Sequence, residues 1–596
     1  MAPHVQVLRC AVPPPPLALP PPPLPVLELP LRVRAAGIAP LGSWSRGDAP
    51  GGELPGHGRL CSALGLSAVA AVAVCRGVRL RTKARLCSTS VRAPRSACLL
   101  PRPARGAILE EEDADMEEEE LPLDAARFVG NNVIKLFVTS CSASYVRPWS
   151  TRSQSFGTGT AFPIGERRLL TNAHVVKDAT VVRVQRCGEF RKYAARVERF
   201  SQSQDLALLT VDSDDFWVDL EEVKFNDSLP ALQEEVAVVG YPGDSDNICI
   251  TQGVVSRVDM SFYTNDVQLL VLQIDAAINA GNSGGPVLDE SGRCVGVAFE
   301  KMTSEEIDNV GYVIPTEVVR SFLDDKGGVG YAGFQYQPFE SSAARASLGL
   351  PAGEKRGVRV RYVDASAPSH ATLHVDDVIL RIDGVDIGYD GTVPLAAGRS
   401  GERVHLSYLM SRRHPKDVCK FEAWRDGKGL SLDLTLGTSC PLVPCSPGPA
   451  EYLLVGGLVF VPLTEPYLEG QYGKDFYRDA PSLMVYMVEE GRRSSIDEQV
   501  LVLGHALCAD GDFDDAAEEV QGTVHSILKS FNGVPVRNLR ELAAALAGAG
   551  RWLRFEFRHG EVIVLDSEAA EKHRRQVMEV HRIQHPMCLR KDDVAA

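Results

Sequence analysis

The octapeptide Asn279-Ala280-Gly281-Asn282-Ser283-Gly284-Gly285-Pro286 sets one serine among three glycines, in a turn between two apolar runs. Glycine admits the positive φ values that let successive peptide N–H groups converge on one point. Few loops need three glycines around one serine. A serine that attacks a carbonyl does need them, because the N–H groups of its turn stabilise the resulting oxyanion.

Working back along the chain, two further motifs belong to that serine. Leu170-Thr171-Asn172-Ala173-His174-Val175-Val176 carries a histidine at the end of an apolar strand, and Asp205-Leu206-Ala207-Leu208-Leu209 an acid just before a strand apolar enough to be buried. Singly, each is weak: most lone histidines are structural, and many aspartates before strands belong to turns. Together they follow the order His, Asp, Ser at separations of 31 and 78 residues, the chain order of one of the known triad arrangements. In that reading His174 is the general base, Asp205 orients its ring and stabilises the imidazolium, and Ser283 is the nucleophile of an acyl-enzyme reaction. The N–H groups of Gly281 and Ser283 form the oxyanion hole.

The framework around these motifs reads as mainly β. Between Phe128 and Leu323 short apolar or alternating runs recur, at Val133–Val138, Gly159–Phe162, Val181–Val184, Leu206–Val211, Val236–Val239, Gly253–Val258, Leu269–Ile274 and Cys294–Phe299. Gly, Asp and Asn separate them, the pattern of a barrel or sandwich. Val297–Glu300 and Ile278 are expected to wall the specificity pocket. Their small to medium apolar side chains predict cleavage after Val, Ala or Leu.

The stretches TNAHVV, DLALL, GYPGD (Gly240–Asp244), TQGVVSR (Thr251–Arg257), GNSGGP and GYVIPTEVV (Gly311–Val319) resemble the motifs of the Deg/HtrA serine proteases. The resemblance covers the whole barrel segment. It implies a chymotrypsin-like double β-barrel, a homo-oligomer built from trimers, and unfolded or damaged polypeptides as substrates; no cofactor and no metal are expected. Ala280 is a departure, since many bacterial members carry Arg there and plant members often Pro or Ser.

After Gly327-Gly328-Val329-Gly330 the pattern changes. Arg356–Val363 and Asp376–Val385 read as alternating strands with a short helix between them, and resemble a PDZ domain, which takes a peptide as an added strand. Arg356, Gly357 and Val358 are expected to form its carboxylate loop. Tyr452–Phe460, a strand from Val524 to the Phe531-Asn532-Gly533 turn, a helix over Leu539–Leu546 and a strand over Leu553–Phe557 suggest a second PDZ domain. CPLVPC, EYLLVGGLVFVPLTEP and DGTVPL resemble the plant and algal Deg subgroup with two such domains, which implies assembly and autoinhibition for the second. Gly470–Gln499 reads as a loop insertion.

The head of the chain differs from the rest. Residues 1–30 contain eleven prolines, and residues 1–109 hold fourteen Lys/Arg against three Asp/Glu, a net of +11. With −15 for the full 596 residues, the remainder carries −26. A basic, acid-poor head rich in Ala, Ser and Arg is the composition of an organellar transit peptide, pointing to the chloroplast first, then the mitochondrion, then the nucleus. The acidic remainder argues against nucleic acid as partner. No run reaches the eighteen or so apolar residues of a spanning helix, so membrane association is peripheral at most.

The expected layout is a disordered presequence and acidic spacer over 1–121, a trypsin-like serine protease domain over 122–330, a PDZ domain over 331–440, and a second over 446–596 with a C-terminal helix and tail. Other sites carry less. Asp510–Gln521 begins like a calcium loop but has Asp515 where glycine is needed and Gln521 where glutamate is needed. His370 and His374 lack a third ligand; His573, His581 and His585 fall on a polar C-terminal helix that begins near Ser567 and reads as a solvated tail; Cys440 and Cys445 read as free thiols. The expected function is ATP-independent endoproteolysis in protein quality control. The alternatives are a chaperone or scaffold with a latent site, and a processing protease with one substrate.

Overall fold

Twelve strands of the computed structural model close into two six-stranded antiparallel barrels. The structure describes residues 132–590 apart from 244, 265–266, 300–309, 325, 396–398, 400, 446–447 and 509–516. The presequence, the acidic spacer, the Asp510 loop and Glu300 lie outside the described residues.

The first barrel comprises β1 (Ile134–Ser140), β2 (Ser155–Pro163), β3 (Leu169–Thr171), β4 (Ala179–Arg186), β5 (Lys192–Ser201) and β6 (Leu206–Thr210), closed in the order β1-β2-β3-β6-β5-β4. The second comprises β7 (Glu235–Gly240), β8 (Cys249–Thr264), β9 (Val267–Ile274), β10 (Pro286–Asp289), β11 (Cys294–Phe299) and β12 (Gly311–Pro315), in the order β10-β11-β12-β9-β8-β7. Alternation puts Ile134, Leu136, Val182, Val184 and Leu209 inside the first, and Val236, Val238, Leu272, Val287, Val295 and Val313 inside the second. Each such side chain contributes about 1.5–3 kcal/mol when fully buried. Each expected run falls on a strand, with Val133 and Val211 just outside the strand ends; β5 and β12 are not among those runs, β5 because its solvent face breaks the apolar pattern.

Beyond the helix Thr316–Leu323, a sheet runs in the order Phe334–Gln337, Val358–Val363, Val378–Ile382, Val418–Arg425, Lys428–Thr435. Phe334–Gln337 is an edge strand. The following module holds one sheet ordered Leu501–Ala506, Leu458–Pro462, Tyr452–Val455, Met587–Cys588, and another ordered Val534–Pro535, Leu528–Phe531, Trp552–Phe557, Val562–Asp566.

Two expectations for this module need correction. Gly470–Gln499 is not a plain loop: the helices Glu465–Tyr472, Phe476–Asp479 and Ser482–Glu489 bury Tyr467, Leu468, Phe476, Met484 and Met487. Prolines and polar residues between short helices masked the period. Nor is the C-terminal histidine segment a solvated tail. Helix Ser567–Val580 buries Ala570 and Val577, and His581 Nε2 lies 3.0 Å from Cys508 O. The chain then returns to pair Met587–Cys588 with Tyr452 and Leu453.

The loop between β1 and β2 docks on this last module. His505 Nε2 donates to Val146 O at 2.6 Å, and the Trp149 ring stands edge-on to Tyr452 and His505, 6.1 Å from each. Neither Cys440 nor Cys445 is in a disulfide.

Candidate active site

The serine turn rests against the stretch that leads into the histidine helix: a Cβ at Gly284 would lie 2.3 Å from Thr171 Oγ1 and 3.2 Å from Asn172 N. His174 lies in the one-turn helix Ala173–Val176 that follows β3. Asp205 sits in the turn before β6, at φ +50°, where a short polar side chain is tolerated. Since β3 pairs with β6, Thr171 opposite Ala207, the acid arrives beside the histidine. His174 Nδ1 is 2.7 Å from Asp205 Oδ2, and the His174 backbone N–H donates to Asp205 Oδ1 at 2.9 Å. Asn172 Nδ2 and the Ala173 N–H both donate to Asp205 O, at 3.0 and 3.1 Å. The carboxylate thus holds both ring and backbone of the histidine. The ring remains 44% exposed, open to a substrate, while the acid side chain is 16% exposed.

Ser283 is buried in the turn that enters β10. The turn is locked to the first barrel at the end of β2. Thr160 N–H donates to Ser283 O at 3.0 Å, and Thr160 Oγ1 donates to Gly281 O at 2.7 Å while accepting from Tyr241 N–H at 3.0 Å. Thr171 Oγ1 in turn donates to Thr160 O at 2.7 Å. The glycines are there because nothing larger fits. At Gly281, φ +100°, a Cβ would lie 2.3 Å from Tyr241 O, and at Gly284, φ +85°, 2.1 Å from Thr160 O. Three of the turn's amides are committed to carbonyls: Asn282 N–H to Asn279 O, Gly284 N–H to Ala298 O and Gly285 N–H to Asn282 O.

Of the expected pocket wall, Val297, Ala298 and Phe299 lie buried on β11 alongside this turn, and Ile278 is half-buried, packed near Gly311. Thr160, Thr171 and Asn172 did not stand out in the sequence. Thr171 and Asn172 flank the histidine motif and Thr160 sits in Gly157–Phe162, but nothing in those stretches points to the serine turn.

The expected carboxylate loop is placed otherwise. Arg356 is held by Glu354 and Asp386, Gly357 N–H donates to Ile387 O at 2.8 Å, and Val358 opens an interior strand with no exposed surface. These groups are consumed inside the sheet. One edge of this sheet is Phe334–Gln337, preceded by Tyr331–Gly333. Beside it a cleft of about 630 Å³ is lined by Phe334, Tyr336, Leu406, Met410 and, from the last module, Leu442 and Arg492.

Among the described residues no group of three His, Cys, Asp or Glu side chains could hold a metal ion, and His370 and His374 have no third partner of that kind.

Double barrel, histidine–aspartate pair and glycine-bound serine together define a trypsin-like peptidase. Residues 157–297 match the trypsin-like peptidase domain family, and residues 445–589 match the PDZ domain family. The chain is 37% identical over 480 residues to Protease Do-like 2, chloroplastic, of Arabidopsis thaliana, covering 79% of this chain and 76% of that one. It is 34% identical over 470 residues to Putative protease Do-like 3, mitochondrial (76% and 79% covered), and 32% identical over 495 residues to Protease Do-like 4, mitochondrial (80% and 89% covered), both of Arabidopsis thaliana. The chain belongs to the Do-like, or Deg/HtrA, family of serine proteases.

Proposed function

We propose that this serine protease degrades unfolded or damaged polypeptides, with Ser283 as nucleophile, His174 as general base and Asp205 as the orienting acid. The observation that carries the triad is the double grip of Asp205 on His174. It directs Nδ1–H at the carboxylate and leaves Nε2 to take the serine proton. Attack on the substrate carbonyl forms the acyl-enzyme, His174 returns its proton to the leaving amine, and water then releases the acid. The oxyanion role is given to the N–H groups of Gly281 and Ser283, which flank Asn282 in the serine turn. Each such donor is typically worth about 3–4 kcal/mol.

The exposed histidine and a wall of Val297, Ala298 and Ile278 support cleavage after Val, Ala or Leu in extended, accessible chain. The domain over 331–440 is read as a peptide-binding PDZ domain. Its capture site is the edge strand Phe334–Gln337 with Tyr331–Gly333 as the loop that meets the carboxylate. The basic, acid-poor head, together with a chloroplastic relative, supports the chloroplast as its location, with homo-oligomers built from trimers as the working form.

The test compares the full chain with Ser283→Ala on casein and on a tightly folded control. Casein cleavage lost only in the variant, with the folded control spared by both, is the expected result. Equal degradation of the folded protein removes the quality-control reading. Suppression of aggregation by both without cleavage favours a scaffold.

A further inference from the structure

Lys135 is a lysine in the wrong company. It stands on β1 between Ile134 and Leu136, both fully buried, and is itself only 3% exposed. Its ammonium crosses from the first barrel to the loop after β7 of the second. There it donates to Ser245 O at 2.8 Å and to Asp246 Oδ1 at 2.7 Å, and lies 5.0 and 6.0 Å from the centres of the Phe137 and Tyr241 rings. A desolvated cation with these partners is satisfied, but a methionine or leucine would fill the same space without needing any of them. Asp246 is 80% exposed at its side chain, and the hydrogen bond from Lys135 holds its carboxyl below the ordinary range.

The loop that Lys135 grips is the one against which the serine turn rests. Gly243 N–H donates to Ala280 O at 2.6 Å, and Thr158 Oγ1 donates to Gly243 O at 2.9 Å. The Gly281 backbone lies so close to Tyr241 O that no Cβ could come between them. Across the β1–β2 pair Lys135 stands opposite Thr160, whose hydroxyl joins Tyr241 N–H to Gly281 O. Lys135 and Thr160 therefore hold the loop from two sides, one at Ser245–Asp246 and the other at Tyr241.

We infer that Lys135, paired with Asp246, is a positioning residue for the oxyanion turn. It acts by clamping the loop after β7 against Ala280 and Gly281, so that the serine turn is ordered before substrate arrives. Oxyanion donors work only when their orientation is set in advance of the reaction. Losing the clamp lowers the rate of acylation and leaves substrate binding in place. The inference rests on the assignment of Ser283 and its turn as the reacting site.

The experiment uses the full chain with Lys135→Met, Asp246→Asn, Asp246→Glu, the Lys135→Met/Asp246→Asn double variant and Ser283→Ala. It measures kcat and KM on a fluorogenic casein-derived peptide, and the labelling rate of a fluorophosphonate probe. Rates are expressed per active serine titrated. Lys135→Met is expected to lower kcat and labelling about tenfold or more with KM within twofold, and Asp246→Asn several-fold. Asp246→Glu should return kcat to within twofold of the parent, and the double variant should be no slower than Lys135→Met alone. Asp246 is exposed, so its variants report even where Lys135→Met fails to fold. Wild-type kcat per titrated serine in Asp246→Asn overturns the inference, as does a change confined to thermal stability. Activity surviving in Ser283→Ala takes down the site assignment and the inference with it.

Discussion

His174 and Asp205 meet twice: the ring at 2.7 Å through one carboxylate oxygen, the main chain at 2.9 Å through the other. Neither oxygen can shift to another partner without giving up one of these contacts. Orientation of the imidazole is thus tied to the geometry of the turn that carries the acid.

Asp205→Asn tests that relationship. An amide in place of the carboxylate can present N–H to Nδ1 and favour the wrong tautomer. The expected result is a fall in kcat of about 10⁴-fold with little change in KM, as in other triads. Steady-state kinetics near neutral pH measures it.

Gly284→Ala and Gly292→Ala separate close approach from backbone preference. Both glycines have positive φ, +85° and +74°, but only Gly284 has atoms where a Cβ would go, with Thr160 O at 2.1 Å and Thr171 Oγ1 at 2.3 Å. Gly292→Ala should cost about 1–2 kcal/mol of stability and no activity. Gly284→Ala should lower the melting temperature further and abolish peptidase activity.

Thr160→Val keeps the shape and removes the hydroxyl. Gly281 O and Tyr241 N–H then lose a buried partner, and each unpaired group costs about 1–3 kcal/mol. Chemical denaturation should show the loss, and kcat should fall alongside it because Gly281 belongs to the serine turn.

Acidification should loosen the last module. Burial lowers the pKa of His505, with the Arg147 and His581 charges adding to the effect, and burial likewise lowers that of His525. Gln471 Nε2, 3.1 Å from His525 Nε2, can only donate, so the ring accepts and is neutral. Folded-state values below the ordinary 6.5 mean that the stabilisation is complete above that pH. It is lost progressively as pH falls through 6.5 toward the lowered values. Unfolding midpoints at pH 8, 6.5 and 5 should decline in the parent and decline less in His505→Gln.

Arg356→Ala should leave peptide capture within twofold of the parent, since Arg356 serves Glu354 and Asp386; Glu354 is pulled down to about 2 by that contact. Met410→Glu, beside the edge strand, should weaken binding of a fluorescent peptide with an apolar C-terminus by tenfold or more. Fluorescence anisotropy distinguishes the two. Equal loss in both would return the carboxylate loop to Arg356–Val358.

Much of this protein was legible where the physics is local. A serine turn that brings amides together needs glycine, so GNSGGP announces itself. Strands buried on one or both faces read as alternating or continuous apolar runs, and the barrel strands from Ile134 to Phe299 were largely visible for that reason. The motifs around His174, Asp205 and Ser283 stand out by their order and neighbours, although 31 and 78 residues separate them. What chain order could not supply was pairing across distance. Lys135 and Asp246 are 111 positions apart, and Thr160 and Gly281 121, in stretches with no mark of each other. Which strand of the sheet after Gly330 lies at the edge is likewise a matter of register, and it is Phe334–Gln337, not the strand that follows Arg356. Chemistry written in one turn depends on residue type, whereas contacts between barrels depend on which backbone groups closure leaves side by side, and only the folded chain decides that.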